Sequence, residues 1–337
     1  MRKSLLYLAT TLGLCLLLAS VGEAGVLKMK GAHYFDENHA WDKGFQKFRD
    51  VIRAKSNGTL DLEIYNRGVL GSEKDYIQNM MQGALDLATV STASAGGFAR
   101  EMTFLDLLFI WKDRDHWQRA VDGEIGRRIA DVIEKGTAKG GNPGLKILGY
   151  MGGSERHIIS RKQGYTTIGE MAGFKIRVQD SPTQIEMFKL LGAIPAVVPY
   201  QETYSAIQTG VVDGMENEMS TAFQMKFYEV GPYISETAHV ITVRPFMMSG
   251  QTWAKLSPDQ QKIVLEAAKE ATTVARSIEW KQNDEAVAQM KNKFGVKFYA
   301  FKEKQKMMDI TLPVRQRVAK EVGVSDVFEM IEREAKK

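Results

Sequence analysis

Apolar positions along the chain recur with two spacings, and the switches between them mark out the elements. Val26 to Gly31 reads as a strand. Trp41, Phe45, Phe48, Val51 and Ile52 then fall at helical spacing within Ala40 to Ala54. Asn57-Gly58 ends that helix, because both residues tolerate a left-handed backbone. Leu60 to Tyr65 alternates like a half-buried strand, Ser72 caps a helix running to Met81, Gly83 stops it, and Leu85 to Val90 is the next strand. Strand and helix thus alternate, the mark of an α/β layered fold.

The same order returns later. Lys146 to Met151 is apolar and strand-like. Phe174 to Val178 is a strand, Pro182 to Leu191 a helix stopped at Gly192, and Ala196 to Val198 a strand. Glu202 to Gln208 is a helix stopped at Gly210, followed by a strand at Val211-Val212. The stretches starting at Glu73 and at Glu202 share a sequence of features: a short helix opening on Glu with Tyr close behind, a Gly stop, then a strand bearing Asp86 or Asp213. This is a weak internal repeat and predicts two similar α/β lobes. Gly136 to Gly144 lies between them as a surface loop. Beyond Gly250 the pattern is helical. Ser257-Pro258 starts a helix without Pro or Gly up to Lys293, Val296 to Tyr299 is a short strand, and a last helix covers Glu303 to Glu321, interrupted at Pro313.

The N-terminus breaks this pattern. Arg2 and Lys3 precede an uncharged run from Leu5 to Leu18, and Gly22-Glu23-Ala24 puts small residues where a signal peptidase cuts. The run is shorter than the ~20 residues needed to span a bilayer. Residues 1–24 therefore read as a cleaved secretory signal, and the exported product as periplasmic. Cleavage removes Cys15, the chain's one cysteine, and leaves 43 basic against 40 acidic side chains, a charge of +3. At 337 residues the chain has room for about two domains and a core that needs no disulfide. Its charges are interspersed, so no basic stripe suits a nucleic acid.

Catalytic signatures are missing. There is no phosphate loop, no GxGxxG, no GxSxG and no HExxH. The histidines 33, 39, 116, 157 and 239 are never spaced as a helical metal pair. No catalytic residue, metal or cofactor is therefore assigned. Ligand chemistry is better represented. Arg177 ends the strand 174–178, where open α/β sheets bind ligands, and a guanidinium grips a carboxylate through two parallel hydrogen bonds. Arg156 follows Gly152-Gly153 with Glu155 beside it as a candidate partner. A buried strand ending at Asp213-Gly214 would present Glu216 and Asn217 at its tip, and an amide both donates and accepts.

These strings together resemble the periplasmic solute-binding subunits of TRAP (tripartite ATP-independent periplasmic) transporters. The resemblance rests on Leu70-Gly71-Ser72-Glu73, on Gly173 to Val178, on Leu191-Gly192-Ala193, on Ala206 to Asn217 and on Lys226 to Val230. It covers nearly the whole mature chain. It implies a two-lobed periplasmic binding protein fold, with mixed sheets flanked by helices, a cleft between lobes and a long bracing helix. Lobe 1 is then 25–153 plus about 243–282 and lobe 2 is 154–242 plus about 283–337, with crossings near 153, 243 and within the long helix.

It further implies that Arg177 grips the ligand carboxylate, that Arg156 and Asn217 add contacts, that Tyr200 packs against the ligand and that Glu73 reaches its hydroxyls. Ser91 and Thr92 would line the cleft, and His33 and Arg244 join the set by loop position alone. Two features depart from the family: Leu107-Leu108-Phe109 lacks the Pro of many relatives, and the loop at 136–144 resembles an insertion. The expected partners are a small carboxylate, a hydroxylated acid such as a uronate or aldonate first, and the membrane permease of an ion-gradient-driven transporter; the chain is expected to act as a monomer. A dicarboxylate or keto acid on the same clamp, an ABC-type or sensor-linked binding protein, and an exported hydrolase stay open at this point.

Overall fold

In a computed structural model, residues 25–136 and 144–337 are described. The signal segment 1–24 and most of the 136–144 loop lie outside them. Among the described residues nine strands form one sheet: β1 Leu27–Ala32, β2 Leu60–Tyr65, β3 Leu87–Thr89, β4 Leu145–Ser160, β5 Lys175–Val178, β6 Ile194–Val197, β7 Gly214–Glu218, β8 Tyr233–Ser249 and β9 Lys297–Ala300. Their order is β2-β1-β3-β8-β4-β7-β5-β6, with β9 against β8. No helix among the described residues is long and apolar enough to cross a membrane.

The order has a hidden symmetry. β2-β1-β3 are parallel, and β3 meets β8 antiparallel. β6-β5-β7 are parallel, and β7 meets β4 antiparallel. The repeat read from the Glu73 and Glu202 stretches is therefore a repeat of architecture. Gly83 and Gly210, with φ of +73° and +81°, stop the equivalent helices Glu73–Met81 and Thr203–Thr209. β4 and β8 pair along their lengths as an antiparallel ribbon. β3 joins it at Phe246–Met248 and β7 joins it at Arg156–Ser160, so the two halves sit at opposite ends of that ribbon.

Local chemistry explains the elements. Ser72 and Asp75 form a reciprocal capping box at the start of the helix Glu73–Met81. His39 caps Ala40–Lys55, its Nδ1 accepting the Trp41 N–H at 3.1 Å. Ser257 and Gln260 do the same for Pro258–Lys293, an unbroken helix of 36 residues. At 1.5 Å per residue that is roughly 54 Å, enough to cross both halves. Near its start Val264, Ala267, Ala268, Ala271 and Ala275 pack on the Trp41, Phe45 and Phe48 face of Ala40–Lys55. The approach is close: a Cβ at Gly44 would lie 3.0 Å from that of Ala275. Further along, Ala286 and Met290 join the core formed by Ile207, Met215 and Phe227 in the second half.

Midway, the helix holds the ribbon where it bulges. Gly152 and Gly153 have φ of +102° and +93°, and the β4–β8 register shifts between Gly152 and Glu155. Trp280 Nε1 donates to the Gly152 carbonyl at 3.1 Å and Arg276 Nε to that of Tyr150 at 2.8 Å. A Cβ on Gly153 would collide with Trp117 and Trp280, at 2.7 and 2.8 Å.

The structure departs from the expected elements in four places. The strand expected at Val211-Val212 starts at Gly214; Val211 is 64% exposed, and Gly214 to Glu218 are all buried. β4 does not end at Met151 but runs through both glycines to Ser160. The 17-residue β8 was not anticipated: it is buried along most of its length and so shows no alternation. The last helix continues through Pro313 to Glu321, and a further helix, Ser325–Glu334, packs on Arg114–Asp122 and Glu124–Lys135.

Asp106 links the halves. Its carboxylate accepts from Ser181 Oγ at 2.5 Å and Gln184 Nε2 at 3.0 Å, both at the start of the helix Pro182–Leu190. Burial pushes its pKa up to about 7. The folded protein therefore keeps a proton that the unfolded chain has released. This stabilisation is complete below about pH 4 and is lost as pH rises through about 7. Burial lowers the pKa values of four histidines, His39, His116, His157 and His239, which act with the opposite sign below about pH 6.5. The Asp106 contribution is therefore read against Asp106→Asn: between about pH 5 and pH 8 the ligand-free wild type should lose melting temperature relative to that variant. Glu279, also pushed up to about 7 by burial, is present in both proteins, as are the histidines, so they cancel in that difference. Equal slopes by scanning calorimetry would refute the assignment to Asp106.

Candidate functional site

A cavity of about 350 Å³ opens between the halves. One wall comes from the first half: Tyr34 and Phe35 after β1, Glu73 at the first turn of its helix, and Ser91 and Ser94 after β3. The opposite wall comes from the second half: Arg177 and Gln179 at the end of β5, Tyr200 after β6, and Asn217 and Glu218 on β7. The ribbon supplies Arg156 from β4 and Arg244 from β8. At the rim Lys74 and Asp180 form an ion pair between the halves at 2.7 Å.

Arg177 is 4% exposed. Its Nε donates to the Val198 carbonyl at 2.9 Å, and its guanidinium carbon lies 5.6 Å from the Tyr200 ring centre. Among the described residues no carboxylate pairs with it. Burial without such a partner pushes its pKa down to about 10. The Tyr200 ring is braced by Tyr34 and Phe227, with centroids at 5.9 and 5.7 Å.

Arg156 is the electrostatic opposite. Antiparallel pairing sets it across from Glu218. Its guanidinium bonds Glu216 through Nε and, at 2.7 Å, through Nη2; Nη1 reaches Glu218 at 2.6 Å. Burial disfavours its charge, but the two carboxylates outweigh that and raise its pKa. Burial likewise pushes Glu216 up, yet Arg156 and His239 hold it at about 2. Glu155, the partner expected for Arg156, takes no part, because the carboxylates facing Arg156 come from the neighbouring strand. Arg244 Nη2 reaches the other Glu218 oxygen at 3.3 Å, and its guanidinium carbon lies 5.6 Å from the Trp41 ring.

The remaining expected residues divide. Asn217 lines the cavity; its Oδ1 accepts the Glu218 N–H at 3.0 Å, leaving two amide hydrogens to donate. Asn217 lies within β7 rather than at its tip, because β7 begins where a strand end was expected. Glu73 accepts from Ser91 N, Ser91 Oγ and Ser94 Oγ at 2.9, 2.5 and 2.6 Å, so Ser91 orients it. Thr92 turns away from the cavity toward Asp106, with 3.4 Å between Oγ1 and Oδ1. His33 is fully buried behind the cavity wall; its Nε2 meets Asp42 at 3.0 Å and its ring rests on Phe45 at 5.1 Å. Neither Thr92 nor His33 lines the cavity.

Residues 31–321 match the model of the bacterial extracellular solute-binding proteins, family 7. The chain belongs to that family. A solute-binding protein of Sulfitobacter sp. (strain NAS-14.1) is 35% identical over 305 residues, 90% of either chain. Among solved structures, a TRAP periplasmic solute-binding protein from Sulfitobacter sp. NAS-14.1, with bound α-D-taluronate, matches with a TM-score of 0.84. It is 34% identical and covers 91% of this chain and 97% of its own. A TRAP periplasmic solute-binding protein from Pseudomonas putida F1, with bound D-glucuronate, matches with a TM-score of 0.84 at 30% identity, covering 91% and 97%. The chain is thus a two-lobed, TRAP-type member of family 7, a family of binding proteins and not of enzymes. The exported hydrolase is thereby set aside.

Sequence reasoning missed Glu218, Trp41 and Ser94. Trp41 was indistinguishable from the core face of its helix, and Ser94 follows the expected Ser91 by one turn. Glu218 carried a usable signal: it completes Glu216-Asn217-Glu218, an acid-rich run inside an apolar stretch.

The two arginines should answer substitution oppositely in the ligand-free protein. Arg156→Met takes the main counter-ion from two buried carboxylates, leaving Glu216 only His239 and Glu218 only Arg244 at 3.3 Å each, and should cost about 3–5 kcal/mol in urea unfolding. Arg177→Met removes a buried charge without a counter-ion and should leave stability unchanged or raised. A larger loss for Arg177→Met than for Arg156→Met would contradict this charge accounting.

Proposed function

We propose that this chain binds a sugar acid of the uronate or aldonate class between its lobes, with the ligand carboxylate on Arg177. The observation that carries the reading is the buried guanidinium of Arg177, which has no acidic partner among the described residues. Its two terminal nitrogens present the planar fork that a carboxylate matches. Asn217 donates to the same carboxylate, and Tyr200 closes over it. At the other wall Glu73, oriented by Ser91 and Ser94, accepts from ligand hydroxyls and repels a second negative charge there. The taluronate and glucuronate held by the two matched structures belong to this chemical class. Arg156 and Arg244 complete the wall, with much of their charge already committed to Glu216 and Glu218.

On this reading residues 1–24 are removed on export and the product works as a monomer in the periplasm. It hands its ligand to the permease subunits of an ion-gradient-driven transporter. The lobes, 25–153 plus about 243–282 and 154–242 plus about 283–337, close by hinge motion near 153, near 243 and within the long helix. The bulge at Gly152-Gly153 and the inter-lobe contacts of Asp106 and Lys74 support that motion.

Titration calorimetry with D-glucuronate, D-galacturonate and D-galactonate tests the reading. Each hydrogen bond to a charged group contributes ~1.5–3 kcal/mol, so losing two lowers affinity by about 100-fold or more. Arg177→Ala and Arg177→Lys should both show that loss with melting curves intact. Near-wild-type affinity in Arg177→Lys would defeat the bidentate clamp, and no binding of any sugar acid by the wild type would defeat the ligand class.

A further inference from the structure

Three arginines line the cavity, yet they do not offer three positive charges. Glu216 and Glu218 face Arg156 from β7, and Glu218 also takes Arg244 from β8. At the mouth Lys74 and Asp180 cancel each other. From the long helix Glu279 faces the same cluster; burial holds its proton up to about pH 7, so it adds no charge below that. The far wall carries Glu73. What is left uncommitted for a ligand is one positive charge, that of Arg177, with the Glu73 carboxylate across the cavity from it. A second carboxylate on the ligand could reach Arg244 only in competition with Glu218, whose side chain is 5% exposed and fixed by Thr221 Oγ1 at 3.0 Å.

We infer that Glu218 sets the charge selectivity of the site: by occupying Arg244 and one edge of Arg156 it admits acids with one carboxylate and rejects those with two. The inference rests on the sugar-acid reading and adds to it the residue that excludes dicarboxylates. Glu218 carries this role because it alone of the two β7 acids lines the cavity; Glu216 is fully buried behind Arg156. Removing the Glu218 charge leaves Arg156 paired with Glu216 but leaves Arg244 without a carboxylate. The cavity then has a second cationic corner beside Trp41. Removing Arg244 acts the other way, because Glu218 keeps its charge and loses one of its two counter-ions.

The test compares acids of one carbon skeleton, D-galactonate with galactarate and D-glucuronate with D-glucarate, by calorimetry below pH 7, using the wild type, Glu218→Gln and Arg244→Met. The wild type should prefer the tighter monocarboxylate to its dicarboxylate counterpart by at least about tenfold, the scale of one unit charge at cavity distances. Glu218→Gln should narrow that ratio by about tenfold through tighter dicarboxylate binding, and Arg244→Met should widen it. The ratio is the informative quantity, since loose packing after either substitution would weaken both acids alike. A wild type that binds the dicarboxylate as well as the monocarboxylate overturns the inference, as does a ratio that moves in neither variant. If Glu218→Gln fails to fold, the direction of change in Arg244→Met decides. Failure of the wild type to bind any of the four acids would instead count against the sugar-acid reading itself.

Discussion

Taking a guanidinium out of water is costly unless an anion comes with it, and the architecture around the cavity follows from how that rule is met. Arg156 meets it fully, with Glu216 and Glu218 on the neighbouring strand. Arg244 meets it through one oxygen of Glu218, and Arg276, on the long helix, through Asp122. Arg315 bonds only the carbonyls of Phe109 and Met308, away from the cavity, and Arg177, at the cavity, has no carboxylate among the described residues. The fold keeps this charge buried and unmatched beside the cavity; in the reading proposed above, a ligand carboxylate completes it and steadies the arrangement of the two lobes. On that reading binding and closure share one electrostatic cause.

The topology makes that arrangement possible. Each half is built from the same parallel trio of strands, and the halves attach to opposite ends of one antiparallel ribbon. Arg156 and Arg244 therefore sit on the ribbon that joins the halves, whereas Arg177 and Glu73 come from elements outside it. The long helix makes the ribbon's bulge definite by bonding the carbonyls of Tyr150 and Gly152. It packs with small residues near its start, where close approach to a neighbouring helix requires them, and joins a separate core further along.

Much of this was legible in the sequence, for identifiable reasons. Caps and stops such as Ser72, Gly83, Gly210 and Ser257 act through local backbone chemistry, so their neighbours in sequence are enough to read them. Arg177 was found because a charged residue at the end of a short apolar strand is a local pattern. Errors arose where partners are distant in sequence. Val211-Val212 has strand propensity but is exposed, and the strand forms from the buried run after it, in which three of five residues are polar. Glu155 is adjacent to Arg156 in sequence, but strand pairing brings Glu216 and Glu218 to it. Thr92 sits one residue from the cavity-lining Ser91 but faces Asp106. His33 looked like a loop residue near a ligand and proved to be a core histidine against Asp42 and Phe45.

The rim pair of Lys74 and Asp180 behaves differently from everything inside. Both side chains are more than half exposed, at 51% and 59%. Exposed charges are screened by dissolved salt over about 8 Å at physiological ionic strength, whereas Arg177 is shielded from mobile ions by the protein around it. A protein working outside the cytoplasm experiences whatever salinity its surroundings impose. The buried charge of Arg177 is then nearly independent of that salinity, while the pair at the rim is not. Brine would weaken the contact at the rim and leave the charge inside as it is.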